Sequence, residues 1–184
     1  MKILLLNHFP LTGSGSGVYT KTIAEGLIKN NHEICIIMPE NEKIKTDNSK
    51  IKIHPVYFKN KEKIEGALPF NFPCFTTHPR STNTFSNLND EQIKLYIQAF
   101  DQAIKEEIEK INPMAVFDAT HPFAVQVTEN IKNACEKTTT KYIRIKRDKE
   151  NYNLVNREKV RSAGSAEEEQ AAVDIVVVFD EGEI

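Results

Sequence analysis

The sequence predicts an α/β fold, a parallel sheet with helices on both faces, built as one unit over residues 1–184. Three observations carry this. Apolar runs of strand length alternate with longer stretches of helical periodicity. The first 39 residues hold a complete strand–loop–helix–strand unit, whose crossover is almost always right-handed. A chain of 184 residues with 40% hydrophobic content fits one core rather than two full domains.

Lys2 to Leu6 is a short apolar run, as a central parallel strand covered on both faces requires. A loop with Pro10, Gly13, Gly15 and Gly17 follows, and then Val18, Ile23, Ala24, Leu27 and Ile28 recur at helical spacing. Asn30 and Asn31 close that helix, and Ile34 to Met38 forms the second strand, stopped by Pro39. The loop carries the chemistry of this unit. Glycines allow close backbone approach, and a helix start presents unpaired N–H groups to an anion. Ser14, Gly15, Ser16 and Gly17 are therefore candidate phosphate or substrate contacts. Their spacing matches neither the dinucleotide fingerprint nor a Walker loop, and a plain flexible connection is the alternative.

Glu40 to Lys50 reads as a polar loop, and IKIHPVYF as a third strand weakened by Pro55, with His54 toward solvent or a loop. The segment GALPFNFPCFTTHPRSTNTFSNLN, residues 66–89, has three prolines and four phenylalanines. A loop of this length is usually functional, and its phenylalanines imply packing onto a cleft wall or a partner. Arg80 is its one arginine, either a receiver of phosphate or carboxylate or a solvated surface group. Asn89, Asp90 and Glu91 open a long helix with Ile93, Ile97, Phe100, Ile104, Ile108 and Ile111 in one stripe, ended by Asn112-Pro113.

Ala115 to Phe117 is the fourth strand, and Asp118 to Pro122 the loop at its carboxyl end, where open α/β sheets bind ligands. His121 is the candidate catalytic residue, as acid, base or anion donor, with Asp118 and Thr120 as substrate contacts. The alternative is that these three hold one another and cap the next helix, Ala124 to Lys137. Lys141 to Ile145 is the fifth strand, and Arg144, Lys146, Arg147 and Lys149 form a basic cluster at its end, either a solvated face or a contact for an anionic substrate. A polar stretch from Asn151 to Gln170 precedes a last buried strand, Ala171 to Phe179.

Composition sets the limits. The net charge of −2 gives no support for nucleic acid or a membrane surface as partner. No segment approaches the ~20 apolar residues of a membrane span. Cys35, Cys74 and Cys135 lack metal-ligand spacing, so no metal is expected, and a reducing, cytoplasmic compartment is the default.

Two families show resemblances. The opening NHFPLTGSGSGV, the helix after it and Asn31-His32-Glu33-Ile34 resemble the start of a family 4 retaining glycosyltransferase over residues 1–113. That family has the GT-B fold, two Rossmann-like domains facing across a cleft. The resemblance implies an N-terminal acceptor domain of a hexosyltransferase, using a nucleotide-sugar and a sugar or lipid acceptor. It also implies a donor domain or partner chain, because nothing here resembles the donor-site glutamate pair, and no separate cofactor. The string DATHPFA, with the following helix and YIRIKR, resembles a precorrin-6A reductase over residues 116–153. Those are NADPH-dependent enzymes of cobalamin biosynthesis, also Rossmann-like, though their Gly-Gly-Thr loop after strand one is absent. That resemblance implies His121 and the basic run against tetrapyrrole carboxylates. The last strand, VDIVVVFDE, faintly resembles part of a sugar-nucleotide nucleotidyltransferase. The expected division is therefore 1–113 glycosyltransferase-like, 114–154 reductase-like and 155–184 polar segment plus last strand. The leading expectation is a Rossmann-like acceptor domain; the alternatives are the reductase and a non-catalytic binding module.

Overall fold

The computed structural model describes residues 2–44, 51–61, 63–81, 83–113, 115–118, 125–145 and 174–179. In chain order these form β1 (Lys2–Leu6), α1 (Gly15–Lys29), β2 (Glu33–Glu40), β3 (Ile51–Tyr57), a 3-10 turn (Phe85–Asn87) and α2 (Asp90–Ile111). Then come β4 (Ala115–Asp118), α3 (Val125–Lys137), β5 (Lys141–Arg144) and β6 (Asp174–Phe179). The α/β, Rossmann-like architecture is as the sequence predicts, with one difference in the sheet. The strand order is β3-β2-β1-β6-β4-β5, and β6 runs antiparallel to both neighbours, pairing Leu4 with Val176 and Val116 with Val178. The other five strands all point the same way. An apolar run buried on both faces carries no mark of direction, so the sequence pattern could not distinguish the two senses.

The sheet alternates side chains between its faces. Ile3, Leu5, Ile34, Ile36 and Met38 meet Ala24, Leu27 and Ile28 of α1 on one face. Leu4, Leu6, Cys35, Ile37 and Val116 meet Phe100, Ile104, Ile108, Ile131 and Ala134 of α2 and α3 on the other. Helix α1 begins earlier than its apolar residues suggest. Ser14 is the N-cap and accepts from Gly17 N–H, so Gly15, Ser16 and Gly17 form the first turn. That phase buries Gly17, Thr20 and Ala24 and leaves Val18 56% exposed, outside the expected stripe.

Strand β2 does not stop at Pro39 but runs on to Glu40. Asn7 donates its N–H to Ile37 O, and Phe58 donates to Glu40 O. Backbone polar groups alternate sides along a strand, so Pro39 faces the β1 side beyond Leu6, where no ladder donor is required. The Phe-rich segment packs on the chain's own sheet. Phe58, Phe70 and Phe72 are buried with ring centroids 5.6 and 6.0 Å apart, in the edge-to-face arrangement aromatic rings favour. Helix α2 has a full capping box, Asn89 with Gln92, and closes through a left-handed Asn112 before Pro113.

All three cysteines are free and buried, as core thiols. Burial pushes Cys35 up to about 12, helped by Glu107, and Cys74 and Cys135 up to about 11. None is a thiolate at neutral pH. Among the described residues no helix is long and apolar enough to cross a membrane.

Candidate functional site at the carboxyl edge of the sheet

Since β1 to β5 share one direction, their carboxyl ends lie along one edge: Asn7, Glu40, Phe58, Asp118 and Ile145 mark it. The chain steps from β1 outward to β3 in one direction and to β4 and β5 in the other. Such a reversal opens a crevice at the carboxyl edge, the usual ligand position in these sheets.

The loop from β1 to α1 is braced from within. Asn7, 2% exposed, accepts from Ser16 Oγ at 2.8 Å and donates to Thr20 Oγ1 at 3.1 Å. Ser16 and Ser14 are thus engaged by the fold, one holding Asn7 and the other capping the helix. Gly17 is required by crowding, because a Cβ there would sit 2.0 Å from Pro10 O. Gly13 has φ +86°, and a Cβ there would lie 2.8 Å from His78 Nε2. Gly15 differs from both, having nothing within 4 Å of a Cβ position. The N–H groups of Gly15 and Ser16 precede the first intrahelical bonds, and the first turn has no acidic residue. An anion has space and donors there.

The end of β2 holds a group the sequence pattern did not reveal. Glu40 is 6% exposed and accepts through Oε1 from the N–H groups of Asn41 (2.8 Å) and Glu42 (3.0 Å). Arg80 forms an ion pair with Glu40 and donates to Asn41 Oδ1 at 2.8 Å, while Asn41 Nδ2 returns a bond to Arg80 O at 2.9 Å. Arg80 is therefore neither a solvated surface group nor idle; it receives a carboxylate from its own chain. The only hint lay in Glu40 following a buried strand, read there as the start of a polar loop.

At the end of β4, Asp118 is fully buried. It accepts from the Tyr142 hydroxyl at 2.7 Å and is paired with Arg144. Burial, and then the bond to Asp118, push the Tyr142 phenol above its ordinary value. Asp118 thus anchors β4 to β5. Arg144 is committed to it, whereas Lys146, Arg147 and Lys149, like Thr120 and His121, lie outside the described residues.

A second polar cluster sits at the opposite, amino edge. Glu107 of α2, 1% exposed, accepts from Lys52 Nζ at 2.8 Å and Lys110 Nζ at 3.0 Å, and lies 2.7 Å from His54 Nδ1. His54 faces this carboxylate and not solvent. A cleft of about 300 Å³ opens beside it, lined by Lys2, Glu33, Cys35 and Lys110 among others. Another of about 370 Å³ lies near Lys59, Phe70 and Gln92. The first lies at the amino ends of β1 and β2 and the second beside Lys59, just past β3, and both are open surface hollows, so the topology locates the site better than cavity size does.

The family model described as Precorrin-6x reductase CbiJ/CobK matches residues 71–179, more than half of the chain. A cobalt-precorrin-6A reductase of Methanocaldococcus jannaschii is 40% identical over 53 residues, covering 29% of this chain and 21% of that protein. One from Methanothermobacter thermautotrophicus is 43% identical over 44 residues, 24% of this chain and 15% of that protein. The matched stretch is thus about a fifth or less of the length of these curated relatives. No solved structure matches the chain.

These matches correct the leading expectation. The glycosyltransferase acceptor domain, its nucleotide-sugar, its sugar or lipid acceptor and its donor-domain partner are all overturned by a family match to a reductase. The opening strand, loop and helix that suggested them are features common to Rossmann-like folds and select no chemistry. The match begins at residue 71, within the Phe-rich segment, and runs through α2 to the end of β6. The chain belongs to the precorrin-6x reductase family.

Proposed function

We propose that this chain is a reductase domain that uses NADPH to reduce an unsaturated bond of a precorrin-6A-type tetrapyrrole. The observation that supports it most is the family match over 71–179, which spans Arg80 and the ends of β4 and β5 at the carboxyl edge. The nicotinamide supplies a hydride to one end of the bond, and the other end then requires a proton. His121, three residues past the buried Asp118 in the sequence, is our candidate for that proton, with Thr120 beside it. Asp118, pinned by Tyr142 and Arg144, fixes where this loop departs from the sheet. Lys146, Arg147 and Lys149 are candidates for the carboxylates of the macrocycle.

The first turn of α1 fits a pyrophosphate: open space at Gly15, two N–H donors and no acid. The three buried thiols suit a reducing, cytoplasmic compartment. Thermal melts of the purified chain test the reading. NADPH at ~100 times its dissociation constant adds about 2.7 kcal/mol and raises the midpoint, while UDP-glucose and GDP-mannose leave it unchanged. Stabilisation by a nucleotide-sugar and none by NADPH would overturn it.

A further inference from the structure

Two features at the carboxyl edge converge on one short stretch, His78-Pro79-Arg80. The Gly13 turn of the β1–α1 loop rests against His78 and Pro79, which a Cβ there would approach to 2.8 and 3.0 Å. The next residue, Arg80, reaches the end of β2 and pairs with Glu40. His78 is itself fixed, its ring edge-on to Phe72 and Phe75 at 5.7 and 5.2 Å, with Nδ1 accepting from Arg80 N–H at 3.1 Å. The Phe-rich segment thus spans from the glycine loop to the tip of β2 and carries its arginine to that tip.

The tip of β2 has a defined task in a dinucleotide fold. An acidic residue about 20 positions beyond the glycine loop binds a ribose 2′-hydroxyl, and an arginine there accommodates a 2′-phosphate. This chain has both. An uncompensated Glu40 would repel a phosphate, but its carboxylate already receives two backbone N–H groups and the guanidinium. Arg80 holds a planar fork of five N–H donors. Glu40 and Asn41 engage its two terminal nitrogens, and 19% of its side chain is still exposed.

We infer that Arg80, delivered by the Phe-rich segment, selects NADPH over NADH by neutralising Glu40, which removes its repulsion of the 2′-phosphate, and by turning the exposed part of its side chain toward that phosphate. The inference rests on the reductase reading and adds the group that distinguishes the two coenzymes. Arg80 is placed as a binding residue only, away from the transferred hydride.

The test is equilibrium binding of NADPH, NADH, 2′,5′-ADP and ADP to the full chain and to two variants. Wild type prefers NADPH and is competed by 2′,5′-ADP better than by ADP. Arg80→Ala weakens NADPH by about ten- to a hundredfold, the range of a lost charge-assisted bond, and leaves NADH within about twofold. Glu40→Gln keeps the side-chain shape and removes the charge, so the preference for NADPH rises; this variant decides the question if Arg80→Ala does not fold. An unchanged NADPH-to-NADH ratio in the folded variants overturns the inference while the reductase reading stands. A wild-type chain that binds neither nucleotide overturns both.

Discussion

Replacing Glu107 by alanine is expected to lower folding stability substantially, toward the lower end of the ~3–5 kcal/mol seen when one partner of a buried ion pair is removed. Glu107 comes from the middle of α2 and is met by Lys52 and His54 of β3 and by Lys110 one turn on. Burial alone would push its carboxyl up, but the bonds from Lys52, His54 and Lys110 outweigh that and hold it down to about 2, from an ordinary 4.5. Lys52 and Lys110 are more than half exposed and regain water when the carboxylate goes, which keeps the loss moderate. The same shift sets a pH dependence. A carboxyl lowered on folding contributes its full stabilisation above about 4.5 and loses it as pH falls toward about 2. At roughly 1.4 kcal/mol per unit, up to about 3 kcal/mol disappears across that window. Urea unfolding at stepped pH measures it: the wild-type midpoint falls between pH 4.5 and 2, and Glu107→Gln lacks that component. Parallel pH profiles for the two proteins would show that the cluster contributes nothing to stability.

Asp118→Ala is the second large effect, also about 3–5 kcal/mol. The carboxylate is fully buried between β4 and β5, so its removal leaves the Tyr142 hydroxyl without its acceptor and Arg144, 20% exposed, without its counter-charge. Asp118→Asn keeps the shape and an acceptor for Tyr142 and should cost about half as much. Tyrosine titration gives a second readout. The Tyr142 phenol is raised by burial first and by its bond to Asp118 second, so the alanine variant retains the first cause and loses the other. Its ionisation therefore moves down. A Tyr142 titration that does not move would place the Asp118 contact outside the energetics of this edge.

Much of this was legible in the residues, and the rest fails for identifiable reasons. The runs at Lys2–Leu6 and Ile34–Met38 are apolar throughout because helices cover both faces, and both are strands. Asn89 and Asn112 bracket α2 because capping needs only local chemistry. Gly-Ser-Gly at 15–17 read as loop because glycine and serine are poor helix formers, yet the Ser14 cap and the crowding at Pro10 make it the first turn. The Glu40–Arg80 pair and the Glu107 cluster join residues far apart in sequence, and no local pattern marks them. The Phe-rich segment carried an ambiguous signal, since rings that fill a chain's own core look the same in sequence as rings offered to a partner. DATHPFA marked the correct family, while the opening residues, shared in outline by many nucleotide-binding folds, pointed to the wrong one.

The central claim is that a nicotinamide nucleotide lies along the carboxyl edge of the sheet, between the first turn of α1 and the tip of β2. Amide hydrogen exchange of the full chain, with and without saturating NADPH, addresses it most directly. The account predicts slowed exchange over residues 7–17, 40–42 and 78–81, with the amino edge near Glu33 and Lys52 unchanged. Protection confined to that amino edge, or absent from all three carboxyl-edge segments at saturation, would contradict it.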